Sequence, residues 1–127
     1  MINDRAKYTA NTGMGIISVA NPNRTGAGTI VSIITGAGSG TLVKSITIKA
    51  TGNTTHGTVR LYCYYNASWI ILLKEIDVRA VTQSAIDQSF SATLKLNFLL
   101  GAGYIIKAST ENAESFIVTA EGLDWAY

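Results

Sequence analysis

Apolar and polar residues alternate along most of this chain with a period of two, the period of a strand that buries one of its faces. Phe90, Ala92, Leu94, Leu96 and Phe98 fall on one side, and Ser91, Thr93, Lys95 and Asn97 on the other. Ile46 and Ile48 oppose Ser45, Thr47 and Lys49 in the same way, and Phe116, Val118 and Ala120 oppose Ile117, Thr119 and Glu121. Tyr104, Ile106 and Ala108 alternate with Ile105, Lys107 and Ser109, while Val59, Leu61, Cys63 and Tyr65 share a side against Thr58, Arg60, Tyr62 and Tyr64. The run from Trp69 to Val78 is ambiguous by period alone; its β-branched content and its place after the polar link Asn66-Ala67-Ser68 predict a strand.

Two earlier runs, Ile16–Ala20 and Thr29–Ile34, predict further strands. The first is stopped by Asn21-Pro22-Asn23-Arg24-Thr25-Gly26, because proline has no N–H to donate and fixes its own φ. Gly36-Ala37-Gly38-Ser39-Gly40 predicts a hairpin turn between its flanking strands. Gly101-Ala102-Gly103 and Thr110-Glu111-Asn112-Ala113-Glu114 mark later turns, and residues 79–89, which lack alternation, predict a crossing loop with room for one helical turn. About eight strands with turns between them, and no amphipathic run of a dozen residues, predict an all-β antiparallel two-sheet sandwich of jelly-roll type. Residues 16–127 are expected to form this single domain, with residues 1–15 as an N-terminal arm or edge segment.

Composition sharpens the picture at the surface. Of the 127 residues, 47% are apolar and only 14% are Asp, Glu, Lys or Arg, against about 25% charged in an ordinary domain. Thr, Ser, Asn and Gly supply much of the polar surface, and the apolar excess points to surface covered by other copies of the chain. Some strands are apolar on both faces, although a sandwich strand needs to bury only one. Ile71, Leu73, Ile105 and Ile117, with the amphipathic tyrosines Tyr62, Tyr64 and Tyr104, are therefore the candidate interface of a homo-oligomer. A closed ring would bury such faces without growing a filament.

Charge and motifs exclude more than they suggest. The net charge is +2, but the ten basic residues are scattered, so the stripe that nucleic-acid binding needs is not present. No stretch approaches 18 apolar residues, and Met1-Ile2-Asn3-Asp4-Arg5 lacks the layout of a signal peptide; neither a membrane partner nor the secretion machinery is expected. His56 is the only histidine, and it lies in a turn without a convergent partner. Glu75 with Asp77, and Glu111 with Glu114, are local pairs with basic neighbours such as Lys74 and Arg79, read as solvated charges and not as a glycosidase pair. Neither Gly-Lys-Ser/Thr nor a helix follows Gly36, Gly38 and Gly40, so no phosphate cradle is expected. Cys63 is read as a core or interface residue. No catalytic group, cofactor or metal is expected. The alternative to assembly is a carbohydrate- or receptor-binding module in which Trp69 stacks on a ligand and Asn66 and Asn112 hydrogen-bond to it.

From Val43 to Gly122 the sequence resembles small β-sandwich proteins of tailed bacteriophages that serve as head or tail accessory components of the virion. The matching pieces are Ser45-Ile46-Thr47-Ile48-Lys49-Ala50-Thr51-Gly52, Gly57-Thr58-Val59-Arg60-Leu61, Leu73-Lys74-Glu75-Ile76 and Leu94-Lys95-Leu96-Asn97 before a Gly-x-Gly turn, with Asn112-Ala113-Glu114-Ser115-Phe116 near the end. The resemblance implies a non-enzymatic virion protein, a homotrimer that decorates the capsid or forms part of a fibre or tail, with capsid or tail proteins as further partners. It also implies synthesis in the host cytoplasm and release by lysis. The first 40 residues match less well.

Overall fold

The computed structural model describes residues 7–126; the first six residues of the expected arm lie outside them. Eight strands follow one another: β1 (Lys7–Ile17), β2 (Val31–Thr35), β3 (Thr41–Ala50), β4 (Gly57–Asn66), β5 (Trp69–Val78), β6 (Ser91–Leu100), β7 (Ile105–Thr110) and β8 (Phe116–Ala126). They form two four-stranded antiparallel sheets, in the orders β1-β8-β3-β6 and β2-β7-β4-β5. These are the interleaved Greek keys of a jelly roll. Only β4 and β5 are both consecutive and hydrogen-bonded to each other. Their hairpin turns at Ala67-Ser68, where the Ser68 N–H donates to Asn66 Oδ1 at 2.9 Å.

Alternation does what the sequence suggests in most strands. Val43, Ile46 and Ile48 of β3, Val59 and Leu61 of β4, Ile106 and Ala108 of β7, and Phe116, Val118 and Ala120 of β8 turn inward and are fully buried. Phe90 and Phe116 meet edge to face, with ring centroids 6.4 Å apart, in the same core.

Three local expectations change. The stretch Ile16–Ala20 is not a strand of its own: Ile16 and Ile17 end the eleven-residue β1, and Ala20 makes only an isolated bridge to Thr110. The glycine-rich link Gly36–Gly40 is not a hairpin turn, because β2 and β3 belong to different sheets and the link crosses between them. Gly40, with φ of 89°, adopts the left-handed conformation that ends the crossing. Between Arg79 and Phe90 the chain runs as a loop with no helical turn.

A sandwich also has flanks. At one flank β1 packs against β2, and its inward positions are Gly13 and Gly15. A Cβ at Gly13 would collide with the Ile33 carbonyl, and one at Gly15 would stand 3.0 Å from the Ser32 carbonyl. Glycine therefore lets the two sheets draw together here. On the opposite flank the edge strands β5 and β6 stand farther apart than β1 and β2 do. Here β6 carries a bulge in which Leu96 and Asn97 oppose Lys44 alone, with Asn97 at φ 47°.

Gly13→Ala is expected to lower stability by about 1–3 kcal/mol through overpacking. Gly38→Ala, whose added Cβ meets nothing within 4 Å, should show no loss. Urea unfolding midpoints of the two variants check the contrast.

Candidate functional site

The seven candidate interface residues do not gather on one surface. Tyr62 departs most from expectation, since it is fully buried by the chain itself. The connection from Ala20 to Thr29 runs as a strap across the outer face of β4 and β5. Asn21 organises the strap: its Nδ2 donates to the carbonyls of Ala27 and Thr29, each at 2.9 Å, and its Oδ1 accepts the Asn23 N–H at 3.1 Å. Tyr62 donates its hydroxyl proton to the Asn23 carbonyl at 2.8 Å. Gly26 lies directly on Ile70, the cross-strand neighbour of Tyr64. A strand apolar on both faces is thus covered in part by the protomer's own loop.

Under the strap sits a buried charge that strand patterning did not single out. Arg60 is almost wholly inaccessible, and its Nε donates to Glu75 Oε2 at 3.0 Å. Arg24, on the strap, reaches the same carboxylate oxygen at 3.1 Å, and Glu111 lies 4.0 Å from the Arg60 guanidinium. The basic partners of Glu75 are therefore Arg60 and Arg24, from other elements, and not Lys74 or Arg79. A buried guanidinium is tolerated because carboxylates compensate it, and removing one side of such a pair is strongly destabilising.

Tyr64 and Ile105 stay together as a cross-strand pair on the outer face of the same sheet, both half-buried. The Lys107 ammonium stands 3.9 Å from the centre of the Tyr64 ring, a cation–π contact. Ile117 lies on the outer face of the other sheet, opposite Ile16 of β1. Next to this pair, Met14 and Ile16 stand 64% and 56% exposed.

Ile71, Leu73 and Tyr104 belong to a third surface, the open flank between β5 and β6. Ile71 is 49% exposed and Trp69 40%, while Leu73, Leu94, Leu96 and Phe98 lean on the core yet stay partly accessible. Trp69 meets Tyr104 edge to face at 5.3 Å, and Tyr65 stacks at a tilt on Tyr104 at 4.6 Å. Beside them opens a cavity of about 380 Å³, lined by Cys63, Trp69, Phe98, Leu99, Leu100 and Tyr104, with Gly101 at its rim. Apolar side chains dominate this lining.

The ligand-binding alternative loses one of its three residues. Asn66 and Trp69 flank the β4–β5 turn, but Asn112 packs against Gly57 at the other end of β4, about 30 Å away along a ten-residue strand. There its Nδ2 braces the loop before β4, donating to Thr55 Oγ1 and the His56 carbonyl, each at 3.1 Å. Among the described residues no group of three or more His, Cys, Asp or Glu comes together. Also among them, no helix is long and apolar enough to cross a membrane.

Two consequences are measurable in the isolated protein. Tyr62→Phe should cost about 1 kcal/mol, and Arg60→Ala about 3 kcal/mol or more, both read from urea midpoints. Burial pushes the Cys63 thiol up, so the reactive thiolate is scarcer at any given pH than in the unfolded chain. Iodoacetamide should accordingly label the native protein more slowly than the urea-unfolded protein, and equal rates would contradict this.

No family model matches the sequence. No curated protein matches it either. Among solved structures the chain is similar to one from the cyanophage Pam1 capsid asymmetric unit, with a TM-score of 0.43 and 14% sequence identity, over 98% of this chain and 89% of that one.

Proposed function

We infer that the chain is a non-enzymatic structural protein of a phage virion that self-associates as a homotrimer, decorating the capsid or forming part of a fibre or tail. The observation that carries this reading is the open flank between β5 and β6. The protomer closes its opposite flank with β1 and β2 and covers part of its doubly apolar strands with the strap, yet leaves Trp69, Ile71 and Leu99 accessible together. Isolated proteins rarely maintain such a strip, and a long apolar edge left open is an aggregation hazard unless a partner covers it. The resemblance of residues 43–122 to phage virion accessory proteins supports the virion setting.

A carbohydrate- or receptor-binding role keeps only Trp69 and Asn66 at one end of the sandwich. The cavity beside them is lined chiefly by Phe98, Leu99 and Leu100 and not by amides, which favours burial against protein over recognition of a sugar.

Light scattering on a sizing column, at two protein concentrations, should return the mass of three chains at both. A one-chain mass at both would sink the reading. Ile71→Asp, at an exposed position of the flank, should shift the mass to one chain without lowering the urea midpoint. Leu73→Asp, which also leans on the core, should lose both assembly and stability.

A further inference from the structure

Two apolar surfaces, one on the outer face of the β1-β8-β3-β6 sheet beside β1 and one at the β5/β6 flank, differ in shape. Strand β1 is one edge of its sheet and β6 the other. On the β1 side, Met14 and Ile16 project from the outer face as knobs, continued by Ile117 on β8. On the β5/β6 side the apolar surface surrounds a hole, the cavity between Trp69, Phe98 and Tyr104.

The segments that carry both surfaces hold little charge, with Glu121 opposite Thr12 beside Met14 and Lys74 on β5 as the nearest charged groups. Edge strands are ordinarily guarded by lysine, proline or an inward-pointing charge, yet from Tyr8 to Val43 the only charged side chain is Arg24, which the strap turns toward Glu75. The segments that build the hole, Tyr64–Leu73 and Leu96–Ile106, carry no charged residue at all. Pressing such segments together strips water from few ions, so the desolvation cost that opposes most surface burial is small.

We propose that a second copy of this chain seats its β1 surface, through Met14 and Ile16, in the open β5/β6 flank, with Met14 entering the cavity beside Trp69. This rests on the self-assembly inferred above and specifies its polarity. A two-fold contact that paired like with like would bury one surface and leave the other bare; a head-to-tail contact buries both, and closing it into a ring makes every subunit equivalent. Methionine suits the hole, because its unbranched thioether adapts to irregular gaps and packs favourably on aromatic rings. The area is adequate. The open flank, about 35 Å long on a sandwich side about 20 Å thick, offers about 700 Å², close to the roughly 800 Å² per partner of a stable interface.

The test uses two blocked chains. Met14→Glu combined with Ile16→Glu spoils the knobs and leaves the flank intact; Ile71→Glu spoils the flank and leaves the knobs. All three positions are well exposed, and circular-dichroism melts verify that each chain folds. Alone, each should have a one-chain mass. Mixed at up to about 1 mM, the effective concentration that ring closure would otherwise supply, they should give a two-chain mass, since one intact knob surface meets one intact flank. A mixture that stays at one chain while the unmodified protein forms three overturns the head-to-tail contact, as does a knob-blocked chain that still forms three. If either blocked chain fails to fold, Met14→Ala and Ile71→Ala take their place. Each should raise the concentration at which the oligomer dissociates about tenfold or more, and an unchanged value for Met14→Ala overturns the proposal. A one-chain mass for the unmodified protein would instead remove the assembly reading itself.

Discussion

Water can enter a two-sheet sandwich wherever the sheets end, so the stability of this protein depends on how its two flanks are closed. The protomer closes one flank itself. Glycine at positions 13 and 15 brings β1 close enough to β2 for Ile17, Ile33 and Ile34 to be buried there. Asn11 secures the end of that flank, donating from Nδ2 to Asp124 Oδ1 at 3.0 Å and to the Thr35 carbonyl at 3.3 Å. On the other flank the same inward-facing pattern runs along β6, but Leu94, Leu96 and Phe98 remain half-accessible because no strand stands beyond them. The core is complete in its centre and unfinished at one side.

The strap solves a different problem, the second apolar face of β4 and β5. It does so with polar chemistry more than with apolar contact. Asn21 makes a compact loop out of a stretch rich in turn residues, Tyr62 and Arg60 hold that loop through backbone carbonyls, and Arg24 and Arg60 meet on one carboxylate of Glu75. Ion pairs at a surface contribute little, but the Arg60 pair is shielded, and its loss would leave charge without solvent or partner. The strap thereby covers part of one sheet face with the protomer's own chain.

The low content of charge has a matching distribution. The charged residues of the carboxyl-terminal two thirds lie largely on solvent-facing positions such as Lys74, Asp77 and Lys95 or in the Arg60 cluster. The amino-terminal third, which supplies β1, the strap and β2, contains almost none between Tyr8 and Val43. An edge strand without charge from Tyr8 to Ile17, and a flank whose Tyr64–Leu73 and Leu96–Ile106 segments carry none, suit the head-to-tail contact proposed above.

Period-two alternation made the strands, their inward faces and the all-β sandwich legible in the sequence, because each strand's burial is imposed residue by residue and leaves its mark locally. Low charge and doubly apolar strands likewise indicated that some surface must be covered. Strand order decided the rest, and it depends on pairing between residues far apart in the chain, which no local pattern encodes. That is why Gly36–Gly40 reads as a hairpin turn yet crosses between sheets, and why β1 pairs with β8 at the far end of the chain. It is also why Tyr62, placed by its spacing on the side of Thr58 and Arg60, ends beneath a strap contributed from 39 residues earlier, and why Asn112 and Trp69 end at opposite ends of the sandwich. The sequence by itself determined which side chains seek burial; only the tertiary structure decided which of them the protomer buries and which it leaves exposed, because that depends on which flank its own chain returns to close.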